Sequence, residues 1–242
     1  MEEMANTLKP AIRGMDTFHS PRHSAVVRIT HWITAFSFFA LVVSGAAILL
    51  AHPRLYWGET GSVETPSLID LPLPFVLVGQ SGWGRSLHFV SAWACVLTGF
   101  FYALSSLLTR HFSRDLLPVR GDLAWEPLSR AVLNHLHLKW PMEEEPPTYN
   151  VLQRLVYLAV IFILFPLIVA TGLAMSPAIT SVVPALVEVF GGYESARTVH
   201  FFLASSLVIF LVVHIAMVCV TGFASRMRAM ITGYHTGRKV QT

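Results

Sequence analysis

Residues 197–225 read RTVHFFLASSLVIFLVVHIAMVCVTGFAS. From Val199 to Ser225 this run holds 27 residues without an Asp, Glu, Lys or Arg, more than the roughly 20 that an α-helix needs to cross about 30 Å of hydrocarbon. It reads as a membrane span. Two histidines interrupt it, His200 and His214, and a separation of 14 residues is about 3.9 turns and roughly 21 Å of rise. They therefore share one face of the helix at two depths. An ionisable side chain at such depth costs several kcal/mol unless something binds it, so the pair points to function.

Three further stretches without charge lie upstream: His31 to Ala51, Leu87 to Thr109 and Leu155 to Ser176. Each is long enough to span. The expected fold is an all-α membrane protein, a four-helix transmembrane bundle. It divides into an amino-terminal segment over 1–30, a bundle over 31–225 with spans near 31–51, 87–109, 155–176 and 199–225, and a tail over 226–242. Two shorter apolar stretches, Pro66 to Gln80 and Pro177 to Phe190, carry several prolines and an acidic residue each, Asp70 and Glu188. They read as interfacial or loop segments. Pro166 removes a backbone donor inside the third span and predicts a kink there. No internal repeat is evident.

With four spans both termini lie on one side, and the basic residues choose it. Fourteen Lys or Arg flank the spans on the side of the termini and of the 110–154 connector, against three, Arg54, Arg85 and Arg197, on the other. That asymmetry predicts cytoplasmic termini in a bacterial inner membrane. No removable signal peptide is apparent before Thr30. The composition agrees, with 54% hydrophobic and 13% charged residues, about half the charged fraction of a soluble domain. The net charge of +3 sits beside the spans as a topology signal, so nucleic acid is not an expected partner. Cys95 and Cys219 form no CxxC or CxxCH spacing, which leaves iron–sulfur clusters, c-type haem and a disulfide framework without support.

Four of the eleven histidines lie in or at the ends of the spans: His31, His88, His200 and His214. His31 enters the first span from the cytoplasmic side and His88 enters the second from the outer side, so each depth offers one partner for His200 or His214. Depth pairs His88 with His200 and His31 with His214. Two neutral imidazoles saturate the axial positions of a haem iron and favour electron transfer. The expected cofactors are therefore two haem b, with the four histidines as ligands of haem iron. Arg28, Arg85 and Arg197 each precede one of these histidines by three residues, one turn nearer the interface, where a guanidinium meets a haem propionate. Anchoring at the interface is the plainer account of Arg28. Gly45 and Gly99 sit on the histidine faces of their own helices at the depth of the other haem, where they leave room for a macrocycle or serve helix packing. The loop and tail histidines, including His52 and the pair His135 and His137, are assigned no role.

Taken together, Thr30-His31-Trp32 with Ser44-Gly45, the run Gly84-Arg85-Ser86-Leu87-His88, the run Tyr149-Asn150-Val151-Leu152-Gln153, and the His200 and His214 pair resemble the cytochrome b subunits of bacterial respiratory enzymes. That group includes formate dehydrogenase gamma subunits and the b-type cytochromes of nickel–iron hydrogenases, and the resemblance runs from about Arg22 to Gly233. It implies a di-haem anchor, an electron-transfer subunit of a respiratory oxidoreductase complex, relaying electrons between a periplasmic molybdoenzyme or hydrogenase and the quinone pool, with or without an intervening iron–sulfur subunit. It also implies an exchangeable quinone near the cytoplasmic haem, with Asn150 and Gln153 as candidates, although an Asn at a helix start is ordinarily a cap. The long first outer loop, containing His52 to Glu59, is closer to anchors of thiosulfate reductases and sulfite-oxidase-like molybdoenzymes; it reads as a docking surface or a cap on the bundle. Two rivals remain open: a stand-alone di-haem oxidase of a small reductant such as superoxide, and a transporter whose histidines relay protons.

Overall fold

The computed structural model describes residues 24–59, 61, 65–72, 81–109 and 151–234, with the backbone alone at 81 and 151–154. Among them are four helices long and apolar enough to cross a membrane. Helix α1 covers Ala25–Ala51 and starts six residues before the uncharged run, because Ser24 caps it by accepting a hydrogen bond from the Val27 amide. A charge such as Arg28 ends the hydrocarbon segment without ending the helix. Helix α2 covers Ser81–Leu108. The third span is built from α3, Val151–Ala159, a π-helical turn, Val160–Leu164, and α4, Phe165–Ala174. That wide turn stands where Pro166 predicts a kink: the Phe165 amide reaches back to the Val160 carbonyl, and the extra residue accommodates a proline that has no N–H to give.

Two short helices follow, α5 (Pro177–Thr180) and α6 (Ala185–Val189), in the stretch expected to be interfacial. The fourth span, α7, runs Tyr193–Val220 and not to Ser225. A turn at Thr221 and Gly222, the latter with φ +106°, ends it, and a basic amphipathic helix α8, Phe223–Thr232, takes over part of the expected tail.

Helix α1 packs lengthwise on α2, and α4 on α7; the two pairs share far less contact with each other. Small residues allow the close approach within a pair: Thr30, Ser37, Ser44 and Ala47 are buried on α1, and Ser91, Cys95 and Ser106 on α2. A side chain on Gly84 would meet the Ala47 Cβ at 3.3 Å. The large apolar side chains instead face outward, among them Phe36, Phe39, Leu97, Phe100, Leu108, Ile209 and Val212. In water such a surface would aggregate, and in a bilayer it is the lipid-facing wall.

The loop between α1 and α2 folds back over the bundle. Arg54–Leu55 (β1) pairs antiparallel with Ile69–Asp70 (β2), and Leu55 is buried. The amino terminus of α7 has no side-chain cap, since Gly192 stands there, and the loop supplies the missing acceptor. The Gly58 carbonyl accepts from the amides of Glu194 and Ser195 at 3.0 and 3.3 Å, the Gly58 amide donates to Ser195 Oγ at 2.7 Å, and Thr198 Oγ1 donates to the Tyr56 carbonyl at 2.6 Å. This loop is a cap on the bundle.

Candidate functional site

Across the gap between the two helix pairs, the rings of His88 and His200 stand with centroids 6.3 Å apart and planes at 62°. A metal–imidazole bond of about 2 Å, plus roughly 1.2 Å from ring nitrogen to ring centre, puts two imidazoles trans across one metal ion about 6.4 Å apart. The spacing fits a single iron held between them. Each ring is also pinned on its other side. Nδ1 of His88 lies 3.0 Å from Ser44 Oγ on α1, and Nδ1 of His200 lies 2.9 Å from Thr171 Oγ1 on α4. Both hydroxyls donate in turn to the carbonyl one helical turn back, Ser44 to Ala40 at 2.7 Å and Thr171 to Leu167 at 2.9 Å. With Nδ1 engaged, Nε2 is the nitrogen left for a metal.

The glycine after each hydroxyl explains how the helix comes so close. A Cβ on Gly45 would sit 3.6 Å from His88 Cε1, and one on Gly172 would sit 3.5 Å from His200 Cε1. Gly45 thus lies at the depth expected of it. Gly99 does not leave open space: a Cβ there would meet the Phe165 ring at 3.2 Å, so this glycine receives an aromatic ring from the third span.

At the end of the bundle that carries His31 and His214 the geometry is looser. His31 is exposed on α1, edge-on to Trp32, while His214 is half-buried on α7 and stacked on Phe210 at 6.0 Å. Both lie on the same side of the His88–His200 level, because His31 precedes Ser44 by 13 residues on α1 and His214 follows His200 by 14 on α7, each about 20 Å along its helix. Their ends are tied together by α8: Trp32 Nε1 donates to the Met230 carbonyl at 3.2 Å and Arg28 Nη1 to the Ile231 carbonyl at 2.8 Å. The Arg28 Nε remains buried without a hydrogen-bond partner, an orphaned donor beside His31 that suits an anionic group.

The other two arginines converge on a residue assigned no role from sequence. Arg85 Nη2 lies 3.4 Å from His52 Nε2, and Arg197 Nη2 donates to the His52 carbonyl at 2.6 Å while its Nη1 pairs with Glu194 at 3.2 Å. Partial burial, together with Arg197 and then Arg85, holds His52 below the ordinary histidine pKa. Two guanidiniums, Arg85 and Arg197, against the one carboxylate of Glu194 leave this cluster around His52 locally positive, which favours an anion beside His88 and His200. Asn150 lies outside the described residues, and Gln153 is placed only by its backbone, on the first turn of α3.

Thr171, Gly172 and His52 were missed in the sequence, and for the first two a signal was present. Arg85-Ser-Leu-His88-Phe89 in the second span matches Arg197-Thr-Val-His200-Phe201 in the fourth, and Ser44-Gly45 in the first matches Thr171-Gly172 in the third. The two helix pairs repeat one arrangement, contrary to the expectation of no internal repeat. The match is hidden because the histidine follows its hydroxyl partner by 44 residues in one pair and 29 in the other.

Residues 22–233 match the protein family described as prokaryotic cytochrome b561. The chain is also 31% identical over 220 residues, covering 88% of this chain and 96% of the relative, to the Azospira oryzae protein named "Putative protein-methionine-sulfoxide reductase subunit YedZ1". No solved structure matches it.

Proposed function

The chain belongs to the prokaryotic cytochrome b561 family and is a membrane haem-b electron-transfer subunit, and from that premise we propose that it carries two haems and relays electrons between quinone and a periplasmic oxidoreductase. The observation that carries the reading is the His88–His200 pair, 6.3 Å between ring centres with both Nδ1 atoms already engaged. Among the described residues no three of His, Cys, Asp and Glu cluster, so a metal at this pair needs further ligands from elsewhere. A porphyrin supplies four.

In this reading His88 and His200 hold the outer iron through Nε2, and His31 and His214 the inner one. Arg85 and Arg197, with His52 between them, would hold the anionic propionates of the outer haem, and the unpartnered Nε of Arg28 would hold one of the inner haem. Haem b, when bound, supplies reversible one-electron redox chemistry. The bundle contributes ligation, orientation and a path of low dielectric through the membrane. Quinone binds at the cytoplasmic end, with Asn150 and Gln153 as its candidate residues, Gln153 on the first turn of α3.

The basic-residue asymmetry supports cytoplasmic termini in a bacterial inner membrane. It follows that the capped outer end meets the partner. The relative's name assigns it to a methionine-sulfoxide reductase; carried to this chain, that favours a periplasmic reductase of the molybdoenzyme class over a hydrogenase, and electrons that leave quinol and flow outward.

Pyridine haemochrome analysis should return two haems per chain. Leucine at His88 or at His200 should remove the same spectral component, and leucine at His31 or His214 the other. One haem or none in the parent chain, or loss of one shared component on replacing His31 or His200, would overturn the reading.

A further inference from the structure

The internal repeat gives the outer haem site a feature that ligation alone does not require. Each candidate ligand of this site arises from the second helix of a pair, and each is met by a buried hydroxyl from the first helix, followed directly by a glycine: Ser44-Gly45 against His88, Thr171-Gly172 against His200. The carbonyl three residues before each hydroxyl faces the same imidazole, Leu41 for His88 and Ile168 for His200. A carbonyl only accepts, and with each hydroxyl donating its hydrogen to its own helix the ring nitrogen between them is left as the donor. Both rings are thereby held as the Nδ1–H tautomer, in a fixed plane, with the lone pair on Nε2.

We propose that Ser44 and Thr171 are positioning residues for the outer haem, fixing the tautomer and ring plane of His88 and His200 and lowering the potential of the iron they hold. The inference rests on the reading that these histidines ligate that iron. A hydrogen bond donated by Nδ1–H raises the electron density that Nε2 gives to the metal, which favours ferric over ferrous iron. Removing the hydroxyl weakens that bias and frees the ring, while Leu41 and Ile168 retain part of the interaction. The effect belongs to the outer site alone. The repeat does not extend to the inner end: the position equivalent to His214 in the first pair is Tyr102, and that equivalent to His31 in the second is Leu158 by count and Tyr157 once the extra residue of the π turn is allowed for.

The test uses the purified, haem-loaded full chain and a potentiometric titration that resolves the two haems. Ser44→Ala and Thr171→Val should each raise the ferrous-to-ferric ratio of the outer haem at a fixed potential roughly three- to tenfold, tenfold being about 59 mV for one electron. The inner haem should not move. Ser44→Thr and Thr171→Ser keep the hydroxyl and should stay within about twofold of the parent. Selective loss of the outer haem in the Ala and Val variants, with retention in the Thr and Ser variants, supports the proposal equally. Unchanged outer potentials in Ser44→Ala and Thr171→Val chains that keep both haems would overturn it. So would shifts as large in the conservative variants, or loss of both haems in all four, which would assign the hydroxyls to helix packing. Failure of the ligand reading shows separately, as a His88→Leu chain that keeps its outer component, and it removes this proposal as well.

Discussion

Replacing Gly192 by alanine should release the first outer loop from the bundle. Gly192 has φ +113° and ψ +169°, a region open essentially to glycine, where any other residue costs about 1–3 kcal/mol. The added Cβ would also fall inside van der Waals contact of the Gly58 carbonyl group and 2.7 Å from the Glu59 amide nitrogen. Carbon atoms pack at about 3.5–4.0 Å, so Gly58 must retreat by roughly 1 Å. That displacement breaks the hydrogen bonds by which Gly58 caps α7, to Glu194, Ser195 and Ser195 Oγ, each worth about 0.5–1.5 kcal/mol net. With some relaxation of the loop, a cost of about 3 kcal/mol remains, roughly a hundredfold in the local opening equilibrium. Gly191 provides the control. Its φ is +75°, but a Cβ there makes only an ordinary 3.7 Å contact with Ser195 Oγ, so Gly191→Ala should cost about 1 kcal/mol, roughly fivefold. Hydrogen exchange of the Glu194 and Ser195 amides, read by mass spectrometry on the peptide that follows Gly192, measures both. Equal loss of protection in the two variants would refute the capping role of the loop.

Acid should loosen the same loop. His52 lies below its ordinary pKa; above about pH 6.5 it is neutral folded or unfolded and contributes nothing to the pH dependence, whereas below that the unfolded form takes up the proton first and the docked loop loses ground. Trp57 fluorescence should report loosening as pH falls from about 7 to 5, and His52→Gln should flatten the response; an unaltered response in that variant would remove His52 from the switch. A periplasm-dependent reporter fused after Thr242 should stay silent, and one placed in the loop between α1 and α2 should be active, the opposite pattern reversing the orientation. The double variant Asn150→Ala with Gln153→Ala should slow haem reoxidation by quinone while both haems stay bound, and unchanged kinetics would take these residues out of the quinone site.

The helical bundle was legible in the one-dimensional pattern because spanning imposes a coarse rule: about 20 uncharged residues in a row, with histidine conspicuous inside them. Helix ends were legible less well. Arg28 lies within α1 and Thr221 beyond α7, because charge marks the edge of the hydrocarbon while caps and turns mark the edge of a helix. Spacing along one helix likewise placed His200 and His214 at two depths, since rise per residue is a local constant. What that spacing cannot contain is the partner on another helix. The contact of His88 with Ser44, of His200 with Thr171 and of His52 with Arg85 and Arg197 spans 44, 29, 33 and 145 residues, and depends on how closely two helices approach. Gly99 shows the limit most clearly: its place on the α2 face follows from helical periodicity, yet whether a macrocycle or the Phe165 ring fills the space before it depends on how the third span, widened by its π turn, leans across the gap.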